Sequence, residues 1–100
     1  MPKIFSINGY NIYFWTNEGN PPEPIHVHIS KKPHENATKV WIKSDGTCEV
    51  DDNKDKIPKH TLNDIVEVIE YSSEIIIKDW EQVFGEVTFR DEIKNKEISR

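Results

Sequence analysis

Asn8-Gly9 stands between two short runs rich in β-branched and aromatic residues, Lys3 to Ile7 and Tyr10 to Trp15. A two-residue loop of this kind takes positive φ at both central positions, which Asn and Gly tolerate, so the chain is expected to open as a tight type I′ hairpin. The turn also sets a register: Ile7 faces Tyr10, Phe5 faces Ile12 and Lys3 faces Phe14. One side of the hairpin then carries Phe5, Ile7, Tyr10, Ile12 and Phe14, and this is the core side. The other carries Ile4, Ser6, Asn11, Tyr13 and Trp15.

The rest of the chain extends the same scheme. A proline-stiffened loop, Asn17 to Pro24, runs into Ile25-His26-Val27-His28-Ile29, whose strict alternation puts the aliphatic residues on one side and both histidines on the other. Lys31 to Asn36 is a polar connection. Ala37 to Lys43 reads as a further strand with Val40 and Ile42 toward the core and Lys39, Trp41 and Lys43 away from it. Ser44-Asp45-Gly46 is a turn, Thr47 to Val50 a short last strand, and Asp51 to Lys56 a solvated charge run. Pro58 to Thr61 then opens a helix, with Thr61 as N-cap and Asp64 favouring the N-terminal end. Leu62, Ile65, Val66, Ile69, Ile76 and Trp80 recur at helical spacing as one apolar stripe, and the helix is expected to end near Phe84, before Gly85.

One helix with one stripe covers one face of one sheet. The expected architecture is therefore α+β in two layers, with an antiparallel four- to five-stranded sheet opened by the Asn-Gly hairpin and one long helix packed on it. A chain of 100 residues suits a single domain. Its boundaries fall at residues 1–84, with 85–100 as a C-terminal extension. In that extension Val87 to Phe89 has the composition of a short strand, and the charged end is expected to fray.

Charge and composition narrow the function. The formal net charge of −5 disfavours nucleic-acid binding driven by counterion release. A single cysteine, Cys48, leaves no internal disulfide and fits a reducing compartment, and its strand position suits a small packing residue better than a nucleophile. Met1 to Ile4 has no apolar signal core, and no apolar run approaches the roughly 20 residues needed to span a bilayer. The expected setting is cytoplasmic, without membrane association, and nothing in the sequence calls for a cofactor.

The face away from the helix collects Tyr13, Trp15, His26, His28, Lys39 and Trp41. An exposed aromatic cluster marks a binding surface; the alternative is that the tail folds back and covers it with Phe84, Val87 and Phe89. The two histidines admit four readings. As metal ligands, His26 and His28 at i, i+2 on a strand can point at one ion, with His34, Glu23 or His60 to complete the site. As catalysts they can exchange protons near neutral pH, with Lys31, Lys32, Lys39 and Lys43 available to hold a phosphate. As interface residues they border a partner-binding patch. As structural residues they anchor the proline loop through its carbonyls.

Several of these segments together resemble a family of small prokaryotic proteins, the domain of unknown function four-one-six-zero. The resemblance lies in Met1-Pro2-Lys3-Ile4, Tyr13 to Trp15, Asn17 to Pro22, His26, His28, Pro58 to Leu62 and Trp80. It extends over about residues 1–84, and its most specific part is the loop followed by His-x-His. Family members usually carry Pro-Pro directly before the first histidine, whereas here Glu23-Pro24-Ile25 intervene. The resemblance implies a small protein without an established activity, whose genes are discussed as members of toxin–antitoxin pairs.

The expected function is that of a protein-interaction module, one half of such a pair, that binds a protein partner or itself. Its contact surface is expected to be Tyr13, Trp15, His26, His28 and Trp41, with Asn17, Asn20, Pro21 and Pro22 as a rim. The alternatives are a histidine- or metal-dependent nuclease-like toxin, with His26 and His28 as the metal candidates, and a single-strand nucleic-acid binder that stacks bases on Tyr13, Trp15 and Trp41.

Overall fold

A computed structural model describes residues 3–16 and 23–93. Five strands form one open antiparallel sheet in chain order: β1 (Lys3–Ile7), β2 (Tyr10–Tyr13), β3 (His26–Ser30), β4 (Thr38–Ile42) and β5 (Cys48–Asp52). Two helices, α1 (Lys59–Tyr71) and α2 (Ser73–Phe84), complete the second layer. The α+β architecture is as expected, with the sheet at the upper end of the expected strand count.

The opening hairpin forms as Asn8-Gly9 requires, with φ of 52° and 81° at the two turn residues. Ile7 pairs with Tyr10 and Phe5 with Ile12, but Lys3 pairs with Tyr13 rather than Phe14. An irregularity between Lys3 and Phe5 shifts the register there, and a bulge of this kind leaves no mark on the turn that sets the rest. On the core face, Ile12, Phe14, Ile25, Val27, Ile29, Val40 and Ile42 are fully buried. Phe5, Ile7 and Tyr10 lie nearer the edge and are only partly covered.

The helical stretch ends at Phe84, and Gly85 takes the left-handed conformation that closes it, φ 79°. It is interrupted at Ser72, whose φ of −98° and ψ of 10° fall outside the helix. The Ser72 amide still closes on Val68 and Ile69 at 3.0 and 3.1 Å, and its carbonyl accepts the Ile76 N–H at 3.1 Å. The Ser72-Ser73 pair is a recognised kink site, and the apolar stripe continues on both sides of it. Leu62, Ile65, Ile69, Ile76 and Trp80 are buried against it. The helix begins earlier than Thr61: Pro58 is the cap residue, without a side-chain bond, and its carbonyl accepts the Leu62 N–H at 2.8 Å.

Polar contacts fasten the two layers. Glu70 on α1 accepts the Cys48 N–H at 2.8 Å and so meets a donor on the edge strand β5. Gly46, at φ 87°, brings the β4–β5 turn so close to α2 that a Cβ there would lie 3.0 Å from Ser73 Oγ. The stretch after β5 is a polar hinge rather than a solvated charge run. Asn53 bonds Thr38 Oγ1 and both backbone groups of Ile57, and Asp55 accepts the Thr38 N–H. No helix among the described residues is long and apolar enough to cross a membrane.

Candidate functional site

The antiparallel register carries the second face into one continuous structure. Tyr13 lies opposite His28, and His26 opposite Trp41. Side chains directly across an antiparallel pair are near neighbours, so the rings meet. Trp15, Tyr13, His28, His26 and Trp41 form a ladder with successive centroids 5.5, 5.6, 5.1 and 5.5 Å apart, mostly edge to face. Five of the sequence candidates are thus brought together. The other four, Asn17, Asn20, Pro21 and Pro22, lie outside the described residues.

The ladder is not an exposed aromatic face. Tyr13 and His26 are 0% exposed, His28 7% and Trp41 8%, and Trp15 alone is half-buried. The reason lies in the neighbours. β3 is the central strand, and the rings on either side of it cover one another. Trp80 of α2 closes the end where β3 begins, touching Phe14 at 5.1 Å and His26 at 5.3 Å. Over Trp41 sit two cations, Lys39 at 4.2 Å and Arg90 at 4.9 Å. The tail therefore does fold back, but Arg90 covers the ladder, while Phe84, Val87 and Phe89 pack against the apolar core. Val87 to Phe89 does not form a strand, and residues 94–100 lie outside the described residues.

Hydrogen bonds fix the polar tips. His26 Nδ1–H donates to the Pro24 carbonyl at 2.9 Å, the kind of contact expected of a histidine that anchors the loop. Ser30 Oγ donates to the Lys32 carbonyl, which leaves Tyr13 OH to donate to Ser30 at 3.0 Å and to accept the His34 N–H at 3.3 Å. The His34 ring is turned to Asp55, 2.7 Å away. His60 is exposed on α1 beside Asp64, and Glu23 is paired with Lys39 at 2.9 Å. The residues proposed to complete a metal site are thus engaged elsewhere. Among the described residues no group of three or more His, Cys, Asp or Glu side chains is placed to hold a metal ion.

This face is not closed throughout. A cleft of about 340 Å³ lies over the Trp15 and His28 end of the ladder. Among the described residues its walls include the carboxylates of Glu23, Glu35, Asp51 and Asp52 against the ammonium groups of Lys39 and Lys54. That balance favours a cationic group over a phosphate. It also bears on the chemistry of the pair. His26, enclosed by three rings and tied to Pro24, is not presented to a substrate, whereas His28 lines the cleft. Tyr13 and Trp41 have no open ring face for a base.

Of the wall carboxylates Glu23 is a sequence candidate, whereas Glu35, Asp51 and Asp52 are the part that sequence reasoning misses. Asp51 and Asp52 looked like part of a solvated run, and only the pairing of Asp52 with Lys39 brings them beside the ladder. Cys48 is partly buried, and desolvation, with the Glu70 carboxylate adding to it, pushes its thiol up to about 12. A thiol held in that state is a poor nucleophile.

No curated protein and no solved structure matches the chain. A family model does, over residues 9–81, a span that holds the ladder, the cleft walls, all of α1 and most of α2, but neither β1 nor the tail. The chain belongs to the family described as Domain of unknown function (DUF4160).

Proposed function

We propose that the protein is a protein-interaction module and forms one half of a toxin–antitoxin pair. The observation that carries the binding reading is the cleft at Trp15 and His28. It has a rigid, ring-built base, one half-buried tryptophan and a predominantly acidic wall. Its volume is at the low end of ligand pockets, roughly 300–1,000 Å³, which suits insertion of a side chain from a partner. Tryptophan beside carboxylates is a receptor for a lysine or arginine, through cation–π contact and charge-assisted hydrogen bonds. The partner is accordingly a basic protein segment. The toxin–antitoxin part rests on the family resemblance and its gene association.

The test is co-purification with the product of the gene that adjoins its own, using the native chain, Trp15→Ala, and the charge reversal Glu35→Lys with Asp52→Lys. The reading expects the native pair to co-purify, both variants to weaken it by at least about ten-fold, and growth arrest by one member to be relieved by the other. Undiminished association of both variants would remove the cleft from the interface. Toxicity that persists in the presence of the adjoining product would remove the pairing.

A further inference from the structure

Residues 86–93 leave α2 at Gly85 and return along the end of the sheet as a strap with three anchors. The Thr88 carbonyl accepts the Ile25 N–H at 2.9 Å. Arg90 lies over Trp41 and within 3.8 Å of both Glu49 and Asp51. Asp91 accepts the Ser44 N–H at 3.0 Å and the Ser44 hydroxyl at 2.6 Å. Phe89 packs against the core and ends in a turn, accepting the amides of Glu92 and Ile93 at 3.1 and 3.2 Å.

Seat and occupant come from different parts of the chain. Ile25, Trp41, Ser44, Glu49 and Asp51 all lie within the span matched by the family model, whereas the strap lies beyond it. The seat has a definite chemistry. A backbone donor at Ile25 calls for a carbonyl, an indole face flanked by two carboxylates calls for a guanidinium, and the Ser44 donors call for a carboxylate. Its ion pairs are long, 3.8 Å, and partly exposed, and pairs of this kind contribute little to stability. Asp51 also lines the cleft, so the seat and the cleft form one continuous surface.

We infer that the strap is the built-in occupant of a peptide-binding groove, and that a segment of the partner protein, with an apolar residue followed by arginine and a carboxylate in one helical turn, takes the same seat when the strap leaves. This rests on the reading of the protein as an interaction module and adds its second contact and its control. While the strap is seated, Arg90 satisfies Asp51 from the same chain. Once it leaves, Asp51 and Glu49 extend the acidic wall of the cleft and are open to the partner.

The test uses the full chain carrying Arg90→Ala with Asp91→Ala, isotopically labelled, and two synthetic peptides: one with the sequence of residues 86–93 and one with alanine in place of its arginine. The expected result is that the Ile25 and Ser44 amides exchange at least about ten-fold faster in the variant, with Val40 and Ile42 unchanged. The first peptide then shifts Ile25, Ser44 and the Trp41 indole, the alanine peptide binds about ten-fold more weakly, and the native chain needs more of either. Native exchange rates at Ile25 in the variant would show that the strap is a fixed part of the fold and overturn the inference. So would a loosened strap whose seat ignores the peptide. If the double variant loses protection at Val40 and Ile42, Ser44→Ala, which removes only the hydroxyl contact, is held to the same criteria. A negative result here leaves association through Trp15 intact, and loss of that association leaves the peptide result intact, so the two proposals fail separately.

Discussion

The two faces of the sheet are buried by different means. Under the helices, aliphatic side chains of β2, β3 and β4 interlock with Leu62, Ile65, Ile69 and Ile76 in an apolar contact, with the Glu70–Cys48 hydrogen bond at its edge. On the opposite face the space is filled by rings set edge to face, whose polar tips are held by Pro24, Ser30 and His34. An apolar interface stabilises in proportion to the area it removes from water and opens only when the fold does. The ring ladder is held in addition by directional contacts at its margins, which substitution can remove one at a time. On the function proposed above, the second face is the one that exchanges contacts with a partner.

Substitutions on the two faces should separate these modes. Ile69→Ala, under the helix, creates a cavity at a fully buried site and is expected to cost about 3–4 kcal/mol in denaturant unfolding. Tyr13→Phe on the ladder keeps the ring but removes a hydroxyl that serves Ser30 and the His34 amide, and about 2 kcal/mol is expected. If Tyr13→Phe is neutral, the ladder is held by ring packing and the contrast disappears.

Gly46→Ala probes how firmly the layers are joined. The new Cβ must accept a left-handed φ and press on Ser73 Oγ at 3.0 Å, for an expected loss of about 1 kcal/mol by thermal unfolding. The smallest effect concerns the strap. Desolvation raises the Asp91 carboxyl, but its hydrogen bonds from Ser44 outweigh this and hold it below the ordinary value. A depressed carboxyl contributes stability that is present above its unfolded value, near about 3.9, and is lost as pH falls through the folded one. Acid titration should release the Ser44 amide signal below about pH 4 while Val40 and Ile42 remain native. Simultaneous loss of all three would mean that the strap is not a separable element.

Much of the fold could be read from local pattern. Asn8-Gly9 dictates its own turn, alternation across Ile25 to Ile29 assigns faces, and helical spacing from Leu62 to Trp80 assigns the stripe. The break at Ser72 was harder, because Ile76 and Trp80 keep the same apolar period on both sides of it. The site was legible as a set of neighbours but not as a degree of burial. Alternation says which side a residue faces, and what covers that side is decided by partners far away in sequence. Trp41 is covered by Arg90, and His26 by Trp80, contacts without a local signature. The carboxylate wall was hidden for the same reason, since Asp51 and Asp52 gain meaning only through the β4–β5 register.

The helices do present apolar groups to solvent, with Tyr71 92% and Ile75 61% exposed, and these provide the competing surface. The most direct measurement is a map of amide and indole shifts on the labelled native chain as the adjoining gene's product is added. The expectation is that Trp15, His28, Lys39 and Asp52 shift first and that Trp41, Ile25 and Ser44 follow as the strap is displaced. Shifts confined to the Tyr71 and Ile75 side of the helices, with the ladder signals unmoved, would contradict it.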